Sequence, residues 1–480
     1  MRIGSIKSGR ILVLIAVLAL VASACSSAAS PSTAPASEAP ASEAPASTAP
    51  SEAPASTAPA TPGAAVVVCE LAYVTGEFAP YGPALSADVV FPVEKVINLD
   101  PPLARPWTNV KEDLGTVGEA QAAKACLEND GAEILVSIAH GYRTYRDYMM
   151  EYWTENDSPL GPSVHGGLIP GNLGGKAAEP IFRAQGLDEG LGVYAAQSAM
   201  NAGAKKVVVF ATQVPGFQLA ANAAEKSAKL LGMEVLARID EPAEQTSYVA
   251  DAQRIAQLKP DAVIVQAGSV ESAILIKQAA EAGLSTNWIG ETGWTQAEFM
   301  NRLDAATISG QKGIGYAAFS PNTTTPAWTF YQPLRDAWVA ESGVPADAYY
   351  GADNPYAFST YDVLVMTALA VEAAKSYKAS EWAPAMHTIG DPPGDVCYTY
   401  ADCLALIRAG KDIDYEGVTG PGTYTEGGVN AVTPSYTAFN ADKTFKDPVY
   451  LDSQQALDLL DQVKTVAKCD PEAPPNKCSW

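Results

Sequence analysis

Apolar residues are distributed along this chain in distinct regimes. Residues 11–22 run almost wholly apolar behind Arg2, Lys7 and Arg10. That stretch is too short for a stable bilayer span and has the shape of the hydrophobic region of an export signal. Residues 26–64 contain no aromatic and no branched aliphatic side chain, and they repeat Ala-Pro-Ala-Ser-Glu-Ala-Pro with close variants. Such a segment cannot bury enough apolar surface to offset its ordering entropy, and its regular prolines keep it extended. It reads as a tether. From residue 66 onward the pattern changes to short β-branched runs alternating with segments of helical spacing.

The first of these runs, Val66, Val67, Val68, Leu71 and Val74, ends at Thr75-Gly76 and suits a buried parallel strand. Residues 84–98 carry apolar positions at helical spacing (Val89, Val90, Val93, Val96, Ile97), with Pro92 expected to kink or interrupt the helix. A second helix is predicted over 117–129, a strand over 132–138, and then a polar turn His140-Gly141-Tyr142-Arg143. Downstream, helices predicted over 191–202, 218–231, 249–258 and 271–282 alternate with strands over 206–211, 234–239, 262–266 and 287–290. Strands alternating with helices of this length imply right-handed βαβ units and mostly parallel sheets, an α/β fold. Beyond residue 64 there remain 480 − 64 = 416 residues, more than one doubly wound sheet comfortably takes, so two lobes are expected.

Composition narrows the function. With 31 Lys+Arg against 54 Asp+Glu, the formal charge is −23, which disfavours nucleic acid as a partner. Hydrophobic residues at 48% and charged residues at 18% supply a sizeable core. The 21 Tyr and 8 Trp exceed what a core needs, so some should line a ligand cleft. The aromatic-rich region 315–360 either does so or packs helices.

The small residues Val21-Ala22-Ser23-Ala24 before Cys25 resemble a bacterial lipobox. That resemblance implies a signal peptide over 1–24, with Cys25 as the lipid-modified first residue of a protein anchored at the outer face of the cell membrane. The other reading is an ordinary signal peptide cut near Ala24. Six cysteines remain after Cys25 (7 − 1), an even number in an exported chain, which favours disulfides over metal. The expected pairs are Cys69–Cys126, Cys397–Cys403 and Cys469–Cys478, among fifteen pairings that six cysteines allow. The C-x5-C and C-x8-C spacings fit no zinc module. No G-x-S-x-G, H-E-x-x-H, P-loop or C-x-x-C occurs, and Gly190-Leu-Gly192-Val-Tyr-Ala195 follows no strand, so it reads as a helix start and not as a dinucleotide site. No catalytic residue, metal or cofactor is indicated.

Several segments in order carry a family resemblance: Tyr73-Val-Thr-Gly-Glu-Phe-Ala-Pro-Tyr81-Gly82, Asp130-Gly-Ala-Glu-Ile-Leu-Val-Ser, Lys205-Lys206-Val-Val-Val-Phe-Ala-Thr-Gln-Val-Pro-Gly216-Phe217, Lys259-Pro260-Asp261-Ala-Val-Ile-Val, Gln278-Ala-Ala-Glu-Ala-Gly283-Leu284 and Ala357-Phe-Ser-Thr-Tyr361-Asp362. Over about 66–455 the chain resembles type I bacterial solute-binding proteins, in particular the branched-chain amino acid (leucine/isoleucine/valine) binding group of ABC transporters. The resemblance implies two doubly wound parallel-sheet lobes joined by a three-crossing hinge, with ligand bound between them. The expected division is 1–24 signal, 25–64 tether, 65–186 with 316–385 as the first lobe, 187–315 with 386–468 as the second, and 469–480 a tail stapled by a local disulfide. It further implies a small-molecule solute, ABC permease and ATPase subunits as partners, and contact with the membrane only through the lipid anchor. A ligand-sensing receptor of the same fold, and more remotely a surface hydrolase, are the competing functions.

In open α/β sheets ligands sit beyond the carboxyl ends of strands, so the loops to inspect are 76–82, 139–145, 164–172, 212–217, 267–271 and 290–294. In relatives, first-lobe hydroxyls and N–H groups hold a ligand carboxylate, a second-lobe acid takes the ammonium, and an aromatic covers it. Mapped onto this chain, Tyr81 is the first-loop aromatic, and the hydroxyl seat falls on or near Gly141, flanked by His140, Tyr142 and Arg143. His165 and Gly167 stand in place of a Ser/Ala/Thr cluster, Phe217 follows Gln213 in the next loop, and Ser269 replaces an aromatic. Glu291, with Thr292, lies one residue from the ammonium partner's position, and Trp294 follows. Arg143 suits bidentate carboxylate binding but also suits pairing with Asp147 or Glu151. His140 and His165 either bind ligand or hydrogen-bond backbone; Tyr142 and Trp294 either line the cleft or pack.

Overall fold

The computed structural model describes residues 63–75, 82–137, 142, 145–156, 162–164, 180–295, 297–343, 351–424, 427–430 and 432–467. The signal, Cys25 and the tether up to residue 62, together with Tyr81, His140, Gly141, Arg143, His165, Gly167, Cys469 and Cys478, lie outside the described residues.

The first sheet contains β1 (Val66–Ala72), β2 (Trp107–Asp113), β3 (Ile134–Ser137), β4 (Pro162–Val164) and β5 (Phe182–Arg183), in the order β2-β1-β3-β4-β5. All its described pairings are parallel. β1 is buried almost end to end, as a strand covered on both faces should be. β2 was not visible in the sequence: Trp-Thr-Asn-Val-Lys-Glu-Asp is polar and half exposed, and its pairing with β1 from Val66↔Trp107 to Ala72↔Asp113 makes it a strand. The helix Gly82–Lys95 continues through Pro92, where the sequence pattern predicts a kink or an interruption. Pro92 falls in the last turn, so only the carbonyl four residues earlier goes without its helical donor, and Val96 N–H still reaches Pro92 O at 3.2 Å.

The second sheet repeats that order. β6 (Lys206–Thr212), β7 (Glu234–Glu241), β8 (Ala262–Gln266), β9 (Asn287–Gly290) and β10 (Gly313–Phe319) run β7-β6-β8-β9-β10, again parallel. A small parallel ribbon follows, β11 (Asp395–Cys397) with β12 (Ile413–Tyr415). Then β13 (Pro434–Ala438) and β14 (Val449–Tyr450) extend the second sheet antiparallel beyond β10.

The chain passes between the sheets three times, after β5, after β10 and before β13. These crossings are hydrogen-bonded side by side: Arg183 N–H donates to Gly428 O at 2.7 Å, Asn430 N–H to Arg183 O at 3.1 Å, and Ser320 N–H to Thr433 O at 3.1 Å. The helix Pro355–Ala374 lies on the first-lobe side and is apolar and long enough to span a bilayer by composition, yet 83% of that stretch is buried in this protein, as a core helix should be. Its Asp362 is a fixed anchor. Oδ1 accepts from Tyr415 Oη at 2.8 Å and Val418 N–H at 3.2 Å, and Oδ2 accepts from Thr419 N–H at 2.6 Å and Thr419 Oγ1 at 2.7 Å. Gly417 is required there, because a Cβ would lie 2.6 Å from Asp362 Oδ2.

One boundary moves. The expected division placed 386–468 in the second lobe, but residues 395–424 pack on the first-lobe side. Tyr400 Oη donates to Asp100 O at 2.9 Å, Arg408 pairs with Asp100 and Glu372, and Tyr424 meets Phe182 edge to face. The return to the second sheet comes at the third crossing. The disulfides Cys69–Cys126 and Cys397–Cys403 are present as expected, tying β1 to the helix Glu119–Glu128 and β11 to the helix Tyr400–Arg408.

Beneath the first helix, Glu70 is 2% exposed and accepts from Ser86 Oγ at 2.8 Å. Burial pushes its pKa from 4.5 up to about 7, with the Ser86 bond opposing. Nearby, Asp88 pairs with the fully buried Arg335 at 2.5 Å.

Removing Asp362 strands four buried donors. Asp362→Ala should therefore cost about 3 kcal/mol or more of stability in a denaturant melt, and a loss under about 1 kcal/mol would mean the anchor is replaceable. Glu70's folded pKa lies above its unfolded value, so its contribution is present below about pH 4.5 and is lost as pH rises through about 7. Between those limits the wild-type melting temperature should fall relative to that of Glu70→Gln, which stays neutral. Parallel curves for the two chains would refute the assignment.

Candidate functional site

Both sheets reverse their winding direction between the first and third strand in sequence, at β1/β3 and at β6/β8. The crevice beyond the carboxyl ends of strands at such a point is where α/β sheets bind ligands. The described residues that reach this region come from both sheets and from the first crossing.

On the second sheet, Glu291 follows the carboxyl end of β9 and is half buried. Its Oε2 accepts from Gly293 N–H at 2.7 Å. Burial pushes its pKa from 4.5 up to about 7, with the Gly293 bond opposing. Ser269 Oγ donates to Gly293 O at 2.7 Å, locking the loop after β8 to the loop after β9. A Cβ on Gly293 would press on the Glu291 carboxylate, so glycine is needed for the loop to wrap this side chain. Thr292 is half buried and opens a short turn over Thr292–Thr295.

At the first crossing, Arg183 is 4% exposed and donates from Nη2 to Asp188 Oδ1 at 3.3 Å, while its Nε is buried without a partner. Asp188 sits under the start of the helix Pro215–Leu230, where a Cβ on Gly216 would fall 3.6 Å from Asp188 Oδ2. From the first-lobe side, Tyr356 begins the helix Pro355–Ala374. Its hydroxyl is held above its ordinary pKa by burial and by the Asp188 and Glu291 carboxylates, with Arg183 opposing. Tyr356 therefore senses charges from the other sheet and the crossing together. Tyr73, just past β1, is raised to about 12 by burial, by Glu119 and by Tyr356, so both tyrosines belong to one neighbourhood.

The remaining sequence candidates distribute unevenly. Phe217 is half buried in the first turn after Gly216 and borders the Asp188 region. Gln213 is exposed, and its N–H is spent on Glu241 O at 2.8 Å. Tyr142 is 1% exposed and packs edge-on against Tyr145 with ring centroids 5.2 Å apart. Trp294 is 0% exposed, stacks on Phe299 at 4.5 Å, and occupies the space that a Cβ on Gly290 would take. Tyr142 and Trp294 are packing residues, the second of the two roles open to each. Arg183, Asp188 and Tyr356 were not singled out from sequence as site residues. The signal for Tyr356 was its place in the aromatic-rich region 315–360.

Cys69, Cys126 and Asp130 present ligand atoms within 4.8 Å of one another, but the two sulfurs are bonded together and cannot serve as thiolates. What the cleft offers is an acid that titrates near neutrality, an arginine–aspartate pair, aromatic hydroxyls and ordered loop backbone. Groups of these kinds are what recognition of a small polar molecule by complementary charge and hydrogen bonds requires.

Comparison with known proteins agrees with this geometry. Residues 115–439 match the family described as periplasmic binding protein. No curated protein matches the chain. Among solved structures, the branched-chain amino acid transporter substrate-binding protein LivJ from Streptococcus pneumoniae, in complex with isoleucine, superposes with a TM-score of 0.55 at 18% identity, over 81% of this chain and 99% of that one. A solute-binding protein of an ABC transporter from Rhodopseudomonas palustris, in complex with p-hydroxybenzoic acid, gives 0.59 at 14% identity, over 83% and 100%. A putative branched-chain amino acid ABC transporter from Silicibacter pomeroyi gives 0.60 at 13% identity, over 81% and 96%. These likenesses establish a shared fold.

Proposed function

The chain belongs to the periplasmic binding protein family, and from that premise we propose that it is the extracytoplasmic solute-binding component of an ABC importer. It closes two lobes on a small polar solute and presents the closed form to permease and ATPase subunits. The observation that carries this reading is Glu291, a half-buried acid at the carboxyl end of β9 whose charge reaches Tyr356 on the opposite side of the crossings. A binding protein needs groups from both lobes to converge on one solute, since that convergence makes the closed form favourable only when the solute is present.

An acid in this place supports a solute with an ammonium or other donor group: an amino acid, an amide or a related compound. The isoleucine and p-hydroxybenzoic acid of the solved relatives both carry a carboxylate, and only the first carries an ammonium. Glu291 tips this chain toward the amino-bearing class. Tyr81, His140, Gly141, Arg143, His165 and Gly167 remain the first-lobe candidates for the carboxylate end. The role is binding without turnover. Cys25 is proposed as the lipid anchor and 26–64 as the tether that lets the folded part reach its partner from the membrane.

A thermal-shift screen against amino acids, short amides, urea, polyamines, small aromatic acids and nucleosides tests the reading. A solute at about a hundred times its Kd should stabilise by about 2.7 kcal/mol, with no product formed; turnover of any hit would favour the hydrolase instead. For an ammonium-bearing hit, affinity should fall about tenfold for each pH unit below about 7 and level off above it. Glu291→Gln should weaken that binding about ten- to a hundredfold and flatten its pH dependence, with the ligand-free melting temperature nearly unchanged. A wild-type affinity indifferent to pH across this range would remove Glu291 from the site. Cys25→Ala should shift the protein from the membrane to the soluble fraction, and persistence in the membrane would sink the lipid anchor.

A further inference from the structure

Gln266 ends β8, is 1% exposed, and has neither its Oε1 nor its Nε2 hydrogen-bonded. A buried primary amide with both ends unmatched is costly and rare, because each group has given up water for nothing. Its position shows what it faces. β8 pairs with β6 at Ala211↔Gln266 and with β9 at Ile264↔Ile289, so Gln266 stands level with Glu291, two residues further along both strands. Side chains alternate across a strand, so Gln266 shares the face of Ala262 and Ile264. Both belong to the apolar cluster that runs through the crossings into the first lobe, whereas Val263 and Val265 belong to the separate cluster on the sheet's other face. Gln266 is thus at the carboxyl ends of the strands, level with Glu291, on the face over which the helices Asp188–Asn201 and Pro215–Leu230 begin, next to the crevice.

We propose that Gln266 is a specificity-determining residue of the cleft, pairing with an uncharged donor–acceptor group of the solute such as a carboxamide, a urea or a hydroxyl. This rests on the solute-binding reading above and sharpens it. The chemistry selects the class. A carboxylate would satisfy Nε2 but set its oxygen against Oε1; an ammonium would satisfy Oε1 alone; a hydrocarbon would satisfy neither. Only a group that both donates and accepts completes the amide. A site built to hydrogen-bond such a group discriminates strongly against an analogue lacking it, since the mismatch leaves buried polar atoms unpaired. The structure therefore departs from what a site for aliphatic side chains requires at this position.

L-asparagine and L-leucine provide the probe, since they differ by an amide in place of two methyl groups on the same branched frame. Titrated calorimetrically into the full-length chain in detergent, L-asparagine should bind at least tenfold more tightly than L-leucine. In Gln266→Met, which keeps length and removes both polar ends, that preference should fall at least tenfold. The ligand-free melting temperature of the variant should stay level or rise, because no protein hydrogen bond is lost. L-leucine binding the wild type as tightly as L-asparagine, or a preference unmoved in Gln266→Met, would overturn the inference while leaving solute binding intact. A drop in the ligand-free melting temperature would overturn it too, marking Gln266 as structural. If neither these probes nor any member of the wider screen binds the wild type, the solute-binding reading fails and the inference with it.

Discussion

The two-lobe arrangement depends on how one buried carboxylate is satisfied. Asp362 lies inside the longest apolar helix of the protein, where a lone charge would be strongly disfavoured. Its four donors all come from one short segment, Tyr415 to Thr419, so the helix fixes the course of that segment atom by atom. From there the order propagates. Thr419 Oγ1 accepts from Asn430 Nδ2 at 3.1 Å, and the same amide donates to Ala184 O at 3.3 Å, which lies in the first crossing. Thr433 N–H reaches Thr419 O at 2.9 Å, and Ser320 N–H reaches Thr433 O. All three crossings thus trace back, through a few hydrogen bonds, to one aspartate in the first-lobe core. A hinge referenced to a rigid helix can bend without losing register, because the strands that flex are held to each other as well as to the anchor.

The Asp362 carboxylate and the polar groups near the crevice differ in how far they are satisfied. Around Asp362 every carboxylate lone pair has a matched donor, and Gly417 leaves no space for rearrangement. At the strand ends of the second sheet and at the first crossing, Gln266 and the Nε of Arg183 are buried without partners, and Glu291 holds a single N–H. Buried polar atoms without partners also occur beside the anchor, at Asn430 Oδ1, Tyr361 Oη and Tyr424 Oη, so it is the Asp362 carboxylate itself that is saturated and not its whole neighbourhood. On the reading proposed for Gln266, a matching solute would supply the missing partners and so favour the form that holds it.

How much of this the sequence revealed depends on what each residue's role requires. β1, β3, β6, β8 and β9 were legible because strands buried on both faces are largely apolar and are bounded by turn residues, and the half-exposed edge strand β7 because it sits between two helical stretches in the βα rhythm. β2 was not, since its polar sequence becomes a strand only through pairing with β1. The boundary near 386 was misplaced for a related reason: β11 and β12 are three residues each, and their docking through Tyr400, Arg408 and Tyr424 is a tertiary fact. In the site, Glu291 was legible because an acid just beyond a glycine at a strand end is both local and chemically distinctive. Trp294, three residues on, carries the same local signature whether it faces a cleft or a core, and its stacking on Phe299 decides the matter. Arg183, Asp188 and Tyr356 come together from crossings and a helix start separated by up to 173 positions (356 − 183), and no spacing rule joins them.

The repeated strand order explains why the site is asymmetric in chemistry although symmetric in plan. Both sheets run in the order of their second, first, third, fourth and fifth strands, so each offers the same crevice at its switch point. The second sheet then adds β13 and β14 beyond β10. Those added strands enter from the third crossing and cover the edge that the first sheet leaves to β5, whose own neighbour across the crossings is Val429. An edge strand paired in this way is protected from other chains and is fixed in place. The sheet carrying Glu291 and Gln266 is therefore the larger and more fully paired of the two among the described residues. Directional recognition demands that framework, because a hydrogen bond displaced by even about 1 Å loses much of its discrimination.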